Sequence, residues 1–376
     1  MNIQSQLKRK RNIAYCGILS LLLILVGCES RPVKQGQQYI NGEFSESVNL
    51  TQITLSEPVN IPDYEKQVQL IESVSPSLYG RYKSTYEALN EWIAAGAQTQ
   101  YLNRFGLSSY QLAGTDNYGN VHLTGYYTPV LKARHKPDSH FQFPLYGMPQ
   151  KWSGTLPSRA AIYEGALDGH NLELAYTDSL IDNFIMEVQG SGYIDFENGE
   201  PLTFFSYKGK NGHSYQSIGR LLIEQGEIER DKISMQAIKA WADQQEDTKV
   251  RELLVQNASV VFFHPQLAAP VVGSTGIPLV AKASVASDRS LIPSGSVLLV
   301  EVPQLDENGQ FNGERQLRLM VALDIGSAIK GQHLDIYQGI GEEAGELAGF
   351  YNHYGRVWVI KPAEGSHLSP AVPMSR

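Results

Sequence analysis

The sequence predicts a mainly β fold with some helices, and barrels fit its pattern better than a doubly wound parallel sheet. Three observations carry this expectation. Short runs of branched and aromatic residues recur beside Asn-Gly turn signals. Helical periodicity is confined to a few segments. No glycine-rich nucleotide motif follows a strand, and neither a fixed-period repeat nor a low-complexity segment is present.

Taken in order, residues 29–62 are polar, with Gly, Ser, Gln and Pro scattered through them, and read as a tether with one or two peripheral strands. Val68, Leu70 and Ile71 then mark a helix that breaks at Ser75-Pro76. A second helix carries Ala88, Leu89, Trp92 and Ile93, with Ser84 or Thr85 as its cap and Gly96 as its stop. Further helices are expected over 214–224, with Gly226 as the stop, over 234–241, and up to about Leu254. Phe184 to Val188 and Leu202 to Tyr207 flank Asn198-Gly199 and read as a hairpin. Val297 to Val302 and Leu317 to Leu323 flank a loop holding Asn308-Gly309 and Asn312-Gly313, and Arg356 to Lys361 reads as a late strand.

The first residues carry a separate message. Lys8 to Arg11 form a positive cluster, and Ile18 to Val26 is an apolar run too short to span a bilayer. It ends in Leu25-Val26-Gly27-Cys28, the pattern of a lipobox, which makes 1–27 a lipoprotein signal peptide and Cys28 the lipidated residue; an ordinary secretory leader with a chance cysteine is the alternative. Acyl chains add about 0.8 kcal/mol per buried methylene, so several together anchor a domain stably. Cys16 lies within the leader, so the mature domain has no free thiol for a disulfide, a nucleophile or a metal. Losing four basic residues with the leader takes the formal charge from −8 to −12, which argues against a nucleic-acid partner and is neutral towards carbohydrate.

Three segments look chemical. Gly125-Tyr126-Tyr127-Thr128-Pro129 offers flat apolar faces beside hydroxyls, which suits a sugar ring; an aromatic strand end entering a proline turn would look the same. In Met186-Glu187-Val188-Gln189-Gly190-Ser191-Gly192-Tyr193 the glycines permit close backbone approach, while Gln189 and Ser191 supply hydrogen bonds; a β-bulge is the structural alternative. The third is a set of aspartates. Leu-Asp-Ile occurs at 323–325 and again at 334–336, and Asp288 stands before Ile292-Pro293. A carboxylate among branched apolar residues either meets a cation or takes up a proton. Asp288, Asp324 and Asp335 at strand ends could converge at one side of a barrel as an acid site, or could cap turns and pair with Arg289 and Lys330.

Together these segments, with Gly212-His213-Ser214-Tyr215, Asn257-Ala258-Ser259 and Asn352-His353-Tyr354-Gly355-Arg356, resemble the membrane-bound lytic murein transglycosylase A family over nearly the whole mature chain. The resemblance implies a double-psi β-barrel with a second, inserted β-barrel-like domain and a groove between them. The expected division is 28–130 and 267–376 for the first domain, the latter the three-aspartate domain, and 131–266 for the insert. It implies that Asp335 is the single catalytic acid and base with Asp324 close by, acting on the glycan strands of peptidoglycan without a metal or cofactor. Tyr126, Thr128, Gln189, Ser191 and Asp288 are the expected substrate-binding residues. The membrane, through the lipid on Cys28, and a wall-synthesis or remodelling complex are the further partners expected; Glu29 after Cys28 favours the outer membrane, facing the periplasm. The alternatives are a two-carboxylate glycan hydrolase using Asp324 and Asp335, and a non-catalytic wall-binding lipoprotein.

Overall fold

A computed structural model describes residues 37–40, 43–47 and 53–365. The leader and Cys28 lie outside the described residues, and among these no helix is long and apolar enough to cross a membrane. The described residues begin with a small hairpin, β1 (Gln37–Ile40) and β2 (Glu43–Ser47). Two helices follow, α1 (Ile61–Val74) and α2 (Pro76–Ala94). They divide at Ser75 because a residue before proline is pushed out of helical geometry, while Pro76 itself suits a first helical position. The expected caps Ser84 and Thr85 therefore fall inside α2, and Gly96 follows its end at φ 97°.

Two sheets make up the body. The first has eight strands: β3 (Leu107–Gln111), β4 (Val121–Thr128), β11 (Ser284–Ser287), β12 (Val297–Leu305), β13 (Phe311–Asp324), β14 (His333–Ile340), β15 (Asn352–Gly355) and β16 (Val357–Pro362). Their order is β15-β4-β14-β11-β13-β12-β16-β3. The sheet coils on itself: beyond β15, the Arg356 carbonyl accepts from the Glu301 N–H of β12 at 2.8 Å. A side chain at Gly355 would strike the Glu301 carbonyl, so glycine is required by that close approach. Leu123, Val285, Leu298, Val300, Met320, Leu334, Ile336 and Val357 fill one core. On the outside, Tyr64, Ile71, Tyr86, Leu89 and Trp92 of α1 and α2 pack on Leu299, Leu319, Val321 and Trp358. Asn60 fastens α1 to the sheet by accepting from Leu319 N–H and donating to the Leu319 and Lys282 carbonyls.

The second sheet is built from the chain between β4 and β11. Its strands β5 (Val130–Arg134), β6 (Phe143–Tyr146), β7 (Glu173–Thr177), β8 (Gly192–Asp195), β9 (Thr203–Lys210) and β10 (Val261–Leu267) run in the order β10-β9-β8-β5-β7-β6. A single bridge between Gly147 and Phe263 brings the two edges together, so this sheet also curls. The helices α3 (Arg159–Tyr163), α4 (Leu180–Gln189), α5 (Ile218–Glu224), α6 (Met235–Ala242) and α7 (Asp247–Leu254) accompany it, and α8 (Glu342–Phe350) follows β14.

One expected strand is a helix. Phe184 to Val188 lies within α4, because Ser179 caps its start by accepting from Asp182 N–H and Gly190 ends it at φ 83°. Leu180, Ile181, Phe184 and Ile185 then form one apolar face. The hairpin at Asn198-Gly199 exists, but β8 rather than 184–188 pairs with β9. The same cap shows that 189–192 is a helix end and not a β-bulge.

Candidate active site

Strand register explains how two aspartates eleven residues apart come to share a site. β11 lies between β13 and β14, and Ala286 stands opposite both Asp324 and Asp335. On the other side of β14, Asp335 stands opposite Thr124 of β4, and Thr124 opposite Asn352 of β15. The result is one polar row across the sheet: Asp324, Ala286, Asp335, Thr124, Asn352. Because side chains alternate along a strand, the rows two residues away share its face. His333, His122 and Tyr354 form one of them, and Tyr337 with Tyr126 the other. Leu334 and Ile336 point the opposite way into the core of the coiled sheet, so the apolar neighbours of Asp335 on its own face include the ring of Tyr337 rather than its flanking branched residues.

The two carboxyls are held differently. Asp324 Oδ1 accepts from the N–H groups of Ser274 (2.8 Å) and Ile325 (2.9 Å), and its Oδ2 accepts from the Tyr126 hydroxyl (3.0 Å). Among the described residues Asp335 has one donor, the Thr124 hydroxyl, at 2.6 Å from Oδ1. Both keep some accessible surface, as a group that meets substrate must, yet protein surrounds each enough to disfavour charge. Burial raises the Asp324 pKa, opposed by hydrogen bonds from the Ser274 and Ile325 backbones and the Tyr126 and Ser274 side chains. Burial also pushes Asp335 up, to about 7; the Thr124 hydrogen bond opposes the rise and the charge of Asp324 adds to it. The carboxyl with the fewest donors is the one that retains a proton. Tyr126, raised well above its ordinary value by burial and then by the two aspartates, stays a donor.

The other expected site residues divide. Thr128 is buried, and its hydroxyl meets that of Tyr337 at 3.1 Å. Gln189 Oε1 accepts from Tyr127 N–H (3.1 Å), and its side chain lines a cavity of about 200 Å³ with Gly125, Tyr127, Met235, Gly349 and Asn352. Gly125 and Tyr127 alternate with Thr124 and Tyr126 along β4, whereas Asn352, the last member of the aspartate row, lines the same cavity. Ser191 sits in the turn that follows α4. Asp288 is braced just beyond the end of β11: Oδ1 accepts from Ser290 N–H and Oγ, and Oδ2 accepts from Gly331 N–H. The Ser290 hydroxyl and these amides hold it down to about 2, as a turn-bracing carboxylate should be. Arg289 reaches Ser274 (2.7 Å) instead of an aspartate. Among the described residues no group of His, Cys, Asp and Glu could hold a metal ion.

Sequence reasoning missed Thr124, His122 and His333. The signal was present as alternation: His122, Thr124 and Tyr126 fall at every second place in β4, as His333 and Asp335 do in β14. It also left Glu187 in a binding segment. Glu187 is instead clamped bidentately by the buried Arg159, whose Nε donates to the Asn257 carbonyl. Asn257-Ala258-Ser259 thus serves to hold that arginine.

Two family models match this chain: the MltA specific insert domain over residues 122–264 and the 3D domain over residues 283–361. Membrane-bound lytic murein transglycosylase A of Escherichia coli (strain K12) is 54% identical over 358 residues, covering 95% of this chain and 98% of that protein. The protein of the same name from Vibrio cholerae serotype O1 is 48% identical over 343 residues, covering 91% and 93%. The crystal structure of E. coli MltA with bound chitohexaose matches with a TM-score of 0.82 at 56% identity, over 89% of this chain and all of that one. A relationship this close, spanning both sheets and the aspartate row, establishes that the chain belongs to the membrane-bound lytic murein transglycosylase A family.

Proposed function

We propose that this chain is a peptidoglycan lytic transglycosylase working with one carboxyl as acid and base. The observation that carries the reading is the contrast at the row: Asp335, with a single donor beside a second carboxyl, holds a proton up to about pH 7. It protonates the glycosidic oxygen between N-acetylmuramic acid and N-acetylglucosamine, and the bond to C1 breaks. The resulting carboxylate takes the proton from the muramoyl O6 hydroxyl as that oxygen bonds to C1, leaving a 1,6-anhydromuramoyl end. The proton count closes without water. One carboxyl suffices because the nucleophile belongs to the substrate, whereas most hydrolases need two. Asp324, with both oxygens already accepting hydrogen bonds, serves as the electrostatic neighbour rather than as a base for water.

Tyr126 and Ser191 contact the glycan directly in this reading. Thr128 acts through Tyr337, Gln189 through the β4 backbone, and Asp288 by bracing the loop before β14. The chain divides into 28–130 with 267–376, and an inserted 131–266. Cys28 carries the lipid that holds the enzyme on the outer membrane, facing the periplasm, where a wall-remodelling complex would find it. Mass spectrometry of digested peptidoglycan tests the reaction: anhydro ends support it, reducing ends carrying solvent oxygen mean a hydrolase, and no cleavage means a wall-binding protein. Cys28→Ala should release active protein from membranes, and retention after a salt wash would refute the anchor.

A further inference from the structure

The Thr124 hydroxyl stands between a carboxyl and an imidazole nitrogen. Its oxygen lies 2.6 Å from Asp335 Oδ1 and 2.9 Å from His333 Nε2. A hydroxyl has one hydrogen to donate, so the two contacts cannot both receive it. The His333 ring is fixed from two sides. It stacks on His122 with centroids 4.4 Å apart, and the Ala328 carbonyl bonds it from the loop before β14. His122 is held in turn by Asn352 Oδ1 (2.8 Å) and by the Tyr354 ring (5.3 Å). The direction of the Thr124–His333 contact depends on the tautomer; in the Nδ1–H tautomer, which the Ala328 carbonyl favours, neutral His333 presents Nε2 as an acceptor. When Asp335 is protonated, its O–H donates to the Thr124 oxygen and Thr124 donates to His333, and every group is satisfied. When Asp335 ionises, Thr124 must turn towards it, and His333 Nε2 is left facing a lone pair.

We infer that His333 is a positioning residue of the reaction, which competes with Asp335 for the single Thr124 hydrogen and so favours the protonated, reaction-ready acid. Burial, with the neighbouring His122 adding to it, lowers the His333 pKa to about 4, so the ring stays neutral and cannot itself take the proton that Asp335 holds. Among the described residues, the charges acting on this chain of groups are His122 on His333 and Asp324 on Asp335. Lys330 and Asp288 bear on each other in the adjoining loop.

The inference rests on Asp335 being the acid, and two opposite shifts test it. His333→Phe keeps the stacked ring but frees Thr124 to donate to Asp335 alone. The alkaline limb of the pH–rate profile should move down by about half to one pH unit, the effect of one hydrogen bond. Thr124→Val removes the donor of the carboxylate, and the limb should move up by a similar amount. His333→Gln, whose amide oxygen accepts, should return the limb towards its parental position. Carbon-13 NMR titration of the Asp335 carboxyl in the intact, substrate-free protein should show the same three displacements. A limb and an NMR pKa that stay in place in His333→Phe would overturn the inference, as would a shift in the same direction in Thr124→Val. Failure of the acid assignment looks different: Asp335→Asn would stay active whatever the histidine variants do.

Discussion

Two places in the eight-stranded sheet bury a carboxyl, and they solve the problem in opposite ways. At Glu301 of β12, only 3% exposed, the Arg356 guanidinium meets both carboxylate oxygens at 2.7 Å and also reaches Thr54. At Asp335 of β14 the neighbours are a hydroxyl, two tyrosine rings and another carboxyl. The first arrangement fixes a charge in place and gives the strand crossing a rigid joint. The second withholds the cation, so the group keeps its proton and remains chemically usable. Where a fold supplies an arginine it builds structure, and where it withholds one it leaves an acid.

The largest break in this comparison is Asp335→Asn. The amide is nearly isosteric with the protonated acid but can neither give nor accept the reacting proton. Turnover should fall by about 10⁴ or more, since one positioned acid–base group is already worth about 10² to 10⁴. Binding to insoluble peptidoglycan should survive. Stability gives a second reading. With a folded pKa near 7, above the ordinary value of 3.8, the parent protein has its full stability below about pH 4 and loses part of it as pH rises through 7. The melting temperatures of parent and variant should therefore converge at acid pH, with the variant the more stable at pH 8. Cleavage above a few per cent of the parental rate would sink the single-acid mechanism.

Arg356→Met attacks the other half. It takes the cationic partner from a buried carboxylate and should cost about 3–5 kcal/mol in urea unfolding, while Arg356→Met with Glu301→Leu should recover most of it. A single-variant cost under about 1 kcal/mol would mean that the pair is not the joint described.

Asp324→Asn is milder. It removes a like charge from beside Asp335, so the alkaline limb should move to lower pH while turnover falls less than in Asp335→Asn. A profile that does not move would show that the two carboxyls do not sense each other.

The smallest expected effect is that of Tyr126→Phe. Asp324 loses one of its donors and rises further in pKa, so its charge presses less on Asp335. The limb should shift down by less than about half a pH unit. An upward shift would contradict the pairing.

Much of this was legible before any coordinates. The Leu-Asp-Ile repeat marked Asp324 and Asp335, and the strands from 297 and 317 and the helix ending at Leu254 stand close to where periodicity puts them. What stayed hidden has physical reasons. α4 was read as a strand because Phe184 to Val188 is apolar almost throughout, and its true ends lie in Ser179 and Gly190, outside that window. The bracing of Asp288 by Ser290 and Gly331 was hidden because sequence shows a side chain but not the donors bonded to it. Thr124 and His333 were invisible because their meaning lies in register: neither is unusual until β4 and β14 lie parallel with Thr124 opposite Asp335.

That register has a consequence for the time before the protein is native. Thr124 and Asp335 are 211 positions apart, and the parallel β4–β14 pairing cannot close until the chain of the second sheet has been accommodated between them. Contacts of such long sequence separation form slowly and late, because loop closure must precede any gain from them. A nascent or partly folded chain therefore has two ordinary, ionised aspartates and no acid. In the single-acid reading proposed above, the ability to cut arrives only once the long-range β4–β14 pairing has closed, so the fold withholds activity from any species in which it has not.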